Sequence, residues 1–269
     1  MATGASRPPE SEPSQRWRRW LAQFTAAVTF YTCLPVPGHW PMNFQGIARY
    51  APLVGLGLGG LLALGDGLLA WLGMPIAVRS ALVIAAGVAL TGGLHLDGAM
   101  DTADGLAVTE PNRRLAAMAD SRTGAFGVMA AIAIIGIKVL ALAELTQGRW
   151  FALMASAGWG RWGQVVAIAR YPYLKVEGKG AFHKATARPA IDWLLGWLLL
   201  VSLGGTVVGL GVTSPLLAGG ATLGGFALAV LIGAWFHRQL GGHTGDTYGA
   251  VVEWTEALLL ALLTIFQGG

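Results

Sequence analysis

Charged residues are scarce in this chain. Asp, Glu, Lys and Arg make up 12% of its 269 residues, about half the share usual in soluble globular domains. Between Trp193 and Phe236 there is no charged side chain at all. That run is too long for one buried helix and long enough for two membrane spans divided at Thr213-Ser214-Pro215. A soluble enzyme is excluded on this ground. Cysteine is nearly absent as well: Cys33 stands alone, so no internal disulfide can form and nothing signals an oxidising compartment. The net charge of +4 does not indicate a nucleic-acid partner, because the basic residues are scattered through loops between apolar runs, where membrane topology accounts for them.

What remains is apolar: 54% hydrophobic residues and a mean hydropathy of +0.58. Runs of span length occur at 51–73, 75–95, 125–147, 150–169, 190–212, 215–236 and 248–267. In lipid, only helices and closed barrels satisfy their own backbone, and these runs lack the alternation of a barrel strand. The expected fold is all-α: a polytopic integral membrane protein with about seven transmembrane helices. Glycines four apart, as at Gly55–Gly59 and Gly220–Gly224, read as close helix packing. Residues 1–16 are rich in Ser, Pro, Arg and Glu and are expected to form a disordered tail, with 17–269 a single transmembrane catalytic domain. Segment 20–34 follows Arg16, Arg18 and Arg19 but contains Gln23, Thr25, Thr29 and Thr32. It reads as an interfacial or re-entrant helix.

With the N-terminus inside, segments 1–50, 96–124, 170–189 and 237–247 share one side and hold 14 of the 18 Lys and Arg. The turns on the other side are very short. This asymmetry predicts that the charged face is cytoplasmic.

Acidic residues number only 14, yet three of them, Asp97, Asp101 and Asp104, fall within eight positions. Their spacing places all three within roughly 60° on one helical face. Carboxylates that close repel unless a cation sits between them. An oxygen-only donor set suits Mg²⁺ or Mn²⁺, and Mg²⁺ usually binds one or two carboxylates plus substrate phosphates. The cluster therefore points to phosphate chemistry at a membrane surface. His95, just before it, is a candidate substrate hydrogen-bonder.

Three further segments lie on the same side. Asp120-Ser121-Arg122-Thr-Gly124-Ala-Phe-Gly127 opens a predicted helix, where free N–H groups and a bidentate Arg122 suit an anion. The plainer alternative is a helix cap, Asp120 or Ser121, plus an anchoring Arg. Gly241-Gly-His-Thr-Gly-Asp246-Thr247-Tyr-Gly249 enters the last run, with Asp246 a further metal ligand or base. Within that run, Glu253 and Glu256 are intramembrane carboxylates, either substrate-binding or paired with Lys138, Glu144 or Arg161. The segment 170–184 combines Arg170, Lys175, Lys179 and Lys184 with Tyr171, Tyr173 and Phe182. It can hold a nucleotide or a flat heterocycle, or can merely follow the positive-inside rule. Arg122, at a helix start, is expected to outweigh Lys175, read as an exposed and replaceable loop Lys.

Residues 92–105, Gly-Gly-Leu-His-Leu-Asp-Gly-Ala-Met-Asp-Thr-Ala-Asp-Gly, resemble the long signature of the cobalamin synthase family, the adenosylcobinamide-GDP ribazoletransferases. The similarity extends through most of the chain. Leu34-Pro-Val-Pro37, Pro52-Leu-Val-Gly55, Asp120-Ser-Arg-x-Gly124, Glu177-Gly-x-Gly180 and Thr244-Gly-Asp-Thr-x-Gly249-Ala250 follow in the family's order. Lys179 stands where Leu is commoner, and Lys175 where Arg is.

The resemblance implies the last step of cobalamin nucleotide-loop assembly. Adenosylcobinamide-GDP is joined to α-ribazole, or its 5′-phosphate, with release of GMP and use of Mg²⁺, in the cytoplasmic (inner) membrane. The shared face of Asp97, Asp101 and Asp104 makes them the expected catalytic, metal-holding residues, with Asp246 a further ligand or the base for the ribazole hydroxyl. Substrate contacts are expected at His95, Asp120, Ser121, Arg122 and Thr247, within the matched segments, and, from residue type and position alone, at Tyr173, Lys175 and Glu253. The partners are corrinoid and α-ribazole small molecules and membrane lipid, with no nucleic acid; a homo-oligomer or a complex with other corrinoid-assembly enzymes is left open. A CDP-alcohol phosphatidyltransferase is the alternative enzyme, but its Asp-x-x-Asp-Gly-x-x-Ala-Arg order is absent. A cation transporter is the alternative of another class, but the richest acidic cluster lies at one face with no matching exit opposite.

Overall fold

The computed structural model describes residues 12–175 and 179–267. The expected 1–16 tail therefore lies mostly outside the described residues, as does Glu177, and the first helix begins at Glu12. The helices run α1 Glu12–Tyr31, α2 Ala51–Trp71 with a 3-10 turn Ile47–Tyr50 ahead of it, α3 Ile76–Leu90, α4 Leu94–Ala107, α5 Pro111–Ala117, α6 Ala125–Glu144, α7 Arg149–Arg170, α8 Lys179–Thr186, α9 Pro189–Gly209, α10 Pro215–Leu240 and α11 Gly245–Leu263. The fold is all-α, and the chain is a polytopic membrane protein.

Helix α7 is the axis of the bundle, packed by α2, α9, α10 and α11. Its Phe151, Trp159 and Trp162 are almost wholly buried, against Leu142, Leu200, Leu217, Leu259 and Leu263. Large side chains such as Leu64, Trp71, Ile132, Leu140, Leu223 and Leu231 remain on the outside. An apolar exterior of this kind is at home in hydrocarbon and would be a liability in water.

Among the described residues, four helical stretches, Ile47–Trp71, Ala125–Glu144, Ile191–Gly209 and Pro215–Leu240, are long and apolar enough to cross a membrane. A fifth exists if α3 and α4 are counted together, but they are bent by 89°. Length and apolarity alone thus mark four or five of the seven or so expected spans, for two physical reasons. First, the 75–95 run does not continue as one rod. Gly92 and Gly93 both adopt left-handed φ, 59° and 71°, a conformation costly for residues with a Cβ, and the chain turns there. Second, α7 and α11 have span length but carry Arg149, Arg161, Glu253 and Glu256, which are paired between helices away from lipid.

Among the described residues, two groups of deeply buried ion pairs tie the helices together. Deep between α6, α7 and α11, Lys138 Nζ lies 2.7 Å from Glu253 and 2.5 Å from Glu256, and Arg161 lies 2.8 Å from Glu256. Two cations face two anions, as intramembrane charges require. The expected counter-charges Lys138 and Arg161 are present, whereas Glu144 is exposed. Toward the α2–α3 turn, Arg149 donates from Nε and Nη2 to the two carboxylate oxygens of Asp66, at 2.7 and 2.6 Å, and Nη2 also donates to Ser80 Oγ at 3.1 Å. All three side chains are buried. A bidentate pair with additional hydrogen bonds is the form in which a buried ion pair is tolerated.

Candidate active site

The acidic signature folds into α4, and the glycine-rich segment folds into the start of α11. What brings them together is glycine. A Cβ on Gly98 would stand 2.6 Å from the carbonyl oxygen of Asp246, and one on Gly249 would stand 2.8 Å from that of His95. The two backbones thus touch in both directions. Asp97 and Asp246, each one residue or less from a contact point, are carried to the same wall.

The segment after α7 is tied to this pair by backbone. His243 N–H donates to the carbonyl of Pro172 at 2.9 Å, and Leu174 N–H donates to that of His243 at 2.8 Å. This short extended pairing aims Lys175 at Asp246, Nζ to Oδ2 2.9 Å. It also stacks Tyr173 on Tyr248, centroids 6.0 Å apart. The α11 start is rigid in its own right. Thr244 and Thr247 form a reciprocal capping box, and the buried His243 ring bonds Thr247 Oγ1 and the Gly233 carbonyl. Burial pushes His243 down to about 4, so this ring is neutral near pH 7. Thr247 is therefore committed to positioning the loop.

A cavity of about 280 Å³ opens between these elements. Five of the residues singled out in sequence line it: His95, Asp97, Tyr173, Lys175 and Asp246. They come from three separate stretches of chain. Asp101 sits just beside, within the electrostatic reach of Asp97, Asp104, Asp246 and Lys175.

The other predicted residues lie elsewhere. Asp104 turns from the cavity to the start of α6, where its two oxygens accept the N–H groups of Gly124 at 2.7 Å and Gly127 at 2.8 Å. This is an N-terminal cap supplied by another helix, and charge there also suits the helix dipole. Arg122 and Asp120 pair with each other at 2.7 Å, with the Arg122 side chain 88% exposed. Those bonds hold the Asp120 carboxyl down to about 2. Ser121 is exposed beside them. Glu253 is engaged by Lys138.

The cavity also contains residues that sequence reasoning did not single out. Tyr31 from α1 is fully buried between two imidazoles. His95 lies 6.2 Å away at 18° and His183 of α8 lies 6.1 Å away at 13°. Phe30 meets His183 edge-on at 4.7 Å. Among the described residues, no ring nitrogen of His95 or His183 has a hydrogen-bond partner, nor do Gln164 Oε1 and Tyr248 OH. Buried polar atoms without a protein partner are rare, and these leave donors and acceptors free to meet a polar ligand. Burial pushes His183 down to about 4, leaving a neutral ring able to donate through one nitrogen and accept through the other.

Among the described residues no three His, Cys, Asp or Glu side chains converge as a ready-made metal cage. Lys175 supplies the positive charge beside Asp246 instead. The oxygen donors Asp97 and Asp246, with Asp101 beside them, nevertheless fit a Mg²⁺ ion completed by phosphate and water, the usual way that ion is held.

Comparison with known proteins decides the family. The family model described as cobalamin-5-phosphate synthase matches residues 23–264. The chain belongs to the cobalamin-5-phosphate synthase family. It is 55% identical over 245 residues to the adenosylcobinamide-GDP ribazoletransferase of Trichormus variabilis, covering 91% of this chain and 97% of that protein. The protein of the same name from Synechococcus elongatus is 53% identical, covering 93% and 99%. One from a strain of Prochlorococcus marinus is 37% identical, covering 91% and 96%. No solved structure matches. The matched span contains every residue of the cavity, including Tyr31 and His183.

Proposed function

We propose that the chain is an adenosylcobinamide-GDP ribazoletransferase acting in the cytoplasmic membrane, with Mg²⁺ and with its cavity on the cytoplasmic face. The observation that carries this reading is the meeting of His95, Asp97, Tyr173, Lys175 and Asp246 in one pocket. The full-length relatives bearing that name support the same reaction.

In this reaction a ribose hydroxyl of α-ribazole, or of its 5′-phosphate, attacks the phosphorus bonded to the cobinamide side. One P–O bond forms, the P–O bond to GMP breaks, and the hydroxyl proton leaves to a base. Asp97, Asp101 and Asp246 are the residues that would hold Mg²⁺. When bound, the ion supplies charge neutralisation for the diphosphate and the departing GMP. Lys175 adds a further cation at the same wall, and Asp246 serves either as a further Mg²⁺ ligand or as the base that takes the hydroxyl proton. Asp104 acts at one remove by locking α4 to α6. No covalent intermediate is required.

The cytoplasmic assignment rests on the excess of Lys and Arg in the loops that build the pocket. The deciding experiment is incubation of purified membranes with adenosylcobinamide-GDP, α-ribazole and Mg²⁺. Formation of GMP and cobalamin in equal amounts is expected. Failure to release GMP from this pair would remove the reading.

A further inference from the structure

A second concavity meets the cavity at Asp97. It is an open groove of about 680 Å³, lined by Thr29, Thr32, Cys33, Thr91, Gly93 and Met100. Phe30, Leu94 and Asp97 belong to both spaces. Asp97 is therefore an exposed carboxylate on a partition: one side is small and built of stacked rings, the other is wide and reachable from outside.

Given the transferase reading above, we propose that the two substrates approach Asp97 from opposite sides. The flat aza-aromatic base of the hydroxyl donor enters the small cavity against the His95–Tyr31–His183 stack. The large corrinoid with its nucleoside diphosphate lies in the open groove.

Three observations support this division. Size is the first: a corrin ring with its amide arms cannot enter a space of about 280 Å³, while a fused bicyclic base can. Chemistry is the second. The cavity's orphaned polar atoms are imidazole nitrogens, a phenol and an amide oxygen, all on buried side chains. A benzimidazole-type base presents an apolar face and a single ring acceptor, which one imidazole N–H satisfies. The ribose hydroxyls can meet the remainder. Geometry is the third. An in-line displacement needs nucleophile and leaving group on opposite sides of the phosphorus, and a partition bearing the metal-side carboxylate provides two sides.

The chain carries its own reporter on the groove. Cys33 is exposed and is the single cysteine of the sequence. Its backbone N–H bonds the Leu90 carbonyl at 2.7 Å, and its sulfur lies against the Gly92 turn, so its position in the groove is fixed.

The test uses the full-length protein purified in detergent. Alkylation of Cys33 by N-ethylmaleimide is timed with adenosylcobinamide-GDP, with α-ribazole, or with GDP alone. In parallel, KM for both substrates is measured for Tyr31→Leu and His183→Leu. Saturating adenosylcobinamide-GDP is expected to slow alkylation by about tenfold or more, and α-ribazole to leave it within about twofold. Both variants are expected to raise KM for α-ribazole by about tenfold or more, the loss of one buried hydrogen bond or ring contact. Retained protection of Cys33 by the corrinoid in these variants shows that they are folded.

Protection of Cys33 by α-ribazole, or a KM increase confined to adenosylcobinamide-GDP, would overturn the division. So would competition between GDP and α-ribazole that His183→Leu abolishes, because the guanine base would then own the small cavity. These outcomes are separate from failure of the transferase reading, which shows as no GMP release by the unmodified protein. Normal GMP release without the protection pattern defeats the division alone.

Discussion

Gly98 rests on the backbone of Asp246 so closely that an added methyl group would stand 2.6 Å from its carbonyl oxygen. Helix α4 can approach the start of α11 only because residue 98 has no side chain. The residue before it, Asp97, thereby faces the residue that Gly98 touches. Substitution Gly98→Ala is expected to push α4 away by a few tenths of an ångström or more. Overpacking of this kind costs about 1–3 kcal/mol, and a shift of that size in a site of this sort is expected to reduce turnover more than it reduces melting temperature. Gly249→Ala, which meets His95 from the other side, is expected to behave alike. Thermal unfolding in detergent and GMP release, measured together, check both.

Lys175 and Arg122 exchange the ranking that sequence assigned to them. Lys175 lies 2.9 Å from Asp246 in the cavity, and Arg122 faces outward on an exposed loop, paired with Asp120. Loss of a charge-assisted contact typically costs about 1.5–3 kcal/mol, or about ten- to a hundredfold in rate or affinity. Lys175→Ala is expected to lower kcat/KM for adenosylcobinamide-GDP by that factor, and Arg122→Ala to leave it within about threefold. Steady-state kinetics of the two variants side by side decides the point.

Much of the arrangement was legible in sequence, and the remainder was illegible for definable reasons. The shared face of Asp97, Asp101 and Asp104 follows from helical spacing alone, and the pairing of Glu253 and Glu256 with Lys138 and Arg161 follows from the cost of unpaired charge in lipid. The purpose of Asp104 is hidden because its partners, the Gly124 and Gly127 N–H groups, lie across a tertiary contact that spacing does not encode. Tyr31 and His183 give no signal: an aromatic in an amphipathic helix and a His in a basic loop look like packing and topology until the fold stacks them. Asp66, isolated in an apolar run, is by itself a sign of a buried cation. Its partner Arg149 sits beyond the next two apolar runs, at a turn where a basic residue needs no explanation. The Gly92-Gly93 turn is hidden inside a run whose length alone suggests one straight span.

Stability is expected to depend on pH through the two neutral imidazoles outside the spans. His183 and His243 are pushed down by burial from an ordinary value of 6.5 to about 4. Between those values the unfolded chain binds more protons than the folded one, so unfolding free energy rises with pH across that window. Stability from this source is complete above about pH 6.5 and is lost as pH falls toward about 4. The melting temperature should therefore fall on acidification through that range, and His183→Gln should flatten part of the slope. An unchanged slope would mean that His183 is already charged or hydrated in the folded protein.

At the other end of the bundle, Asp66 and Arg149 have no contact with the cavity. Removing one partner of a buried pair leaves an uncompensated charge and costs about 3–5 kcal/mol. Asp66→Ala is expected to lower melting temperature and folded yield sharply. The protein that remains folded should keep the KM of both substrates, and substrate titration of the purified variant tests that separation.

The proposed function puts the transfer at the wall shared by Asp97 and Asp246. Its most direct test is GMP release from adenosylcobinamide-GDP and α-ribazole by Asp97→Asn at limiting Mg²⁺, with membrane insertion verified for the same preparation. Insertion is expected to be unchanged and release to fall by at least about a hundredfold, the effect of removing one group essential to charge stabilisation. Near-normal release at limiting Mg²⁺ would contradict it.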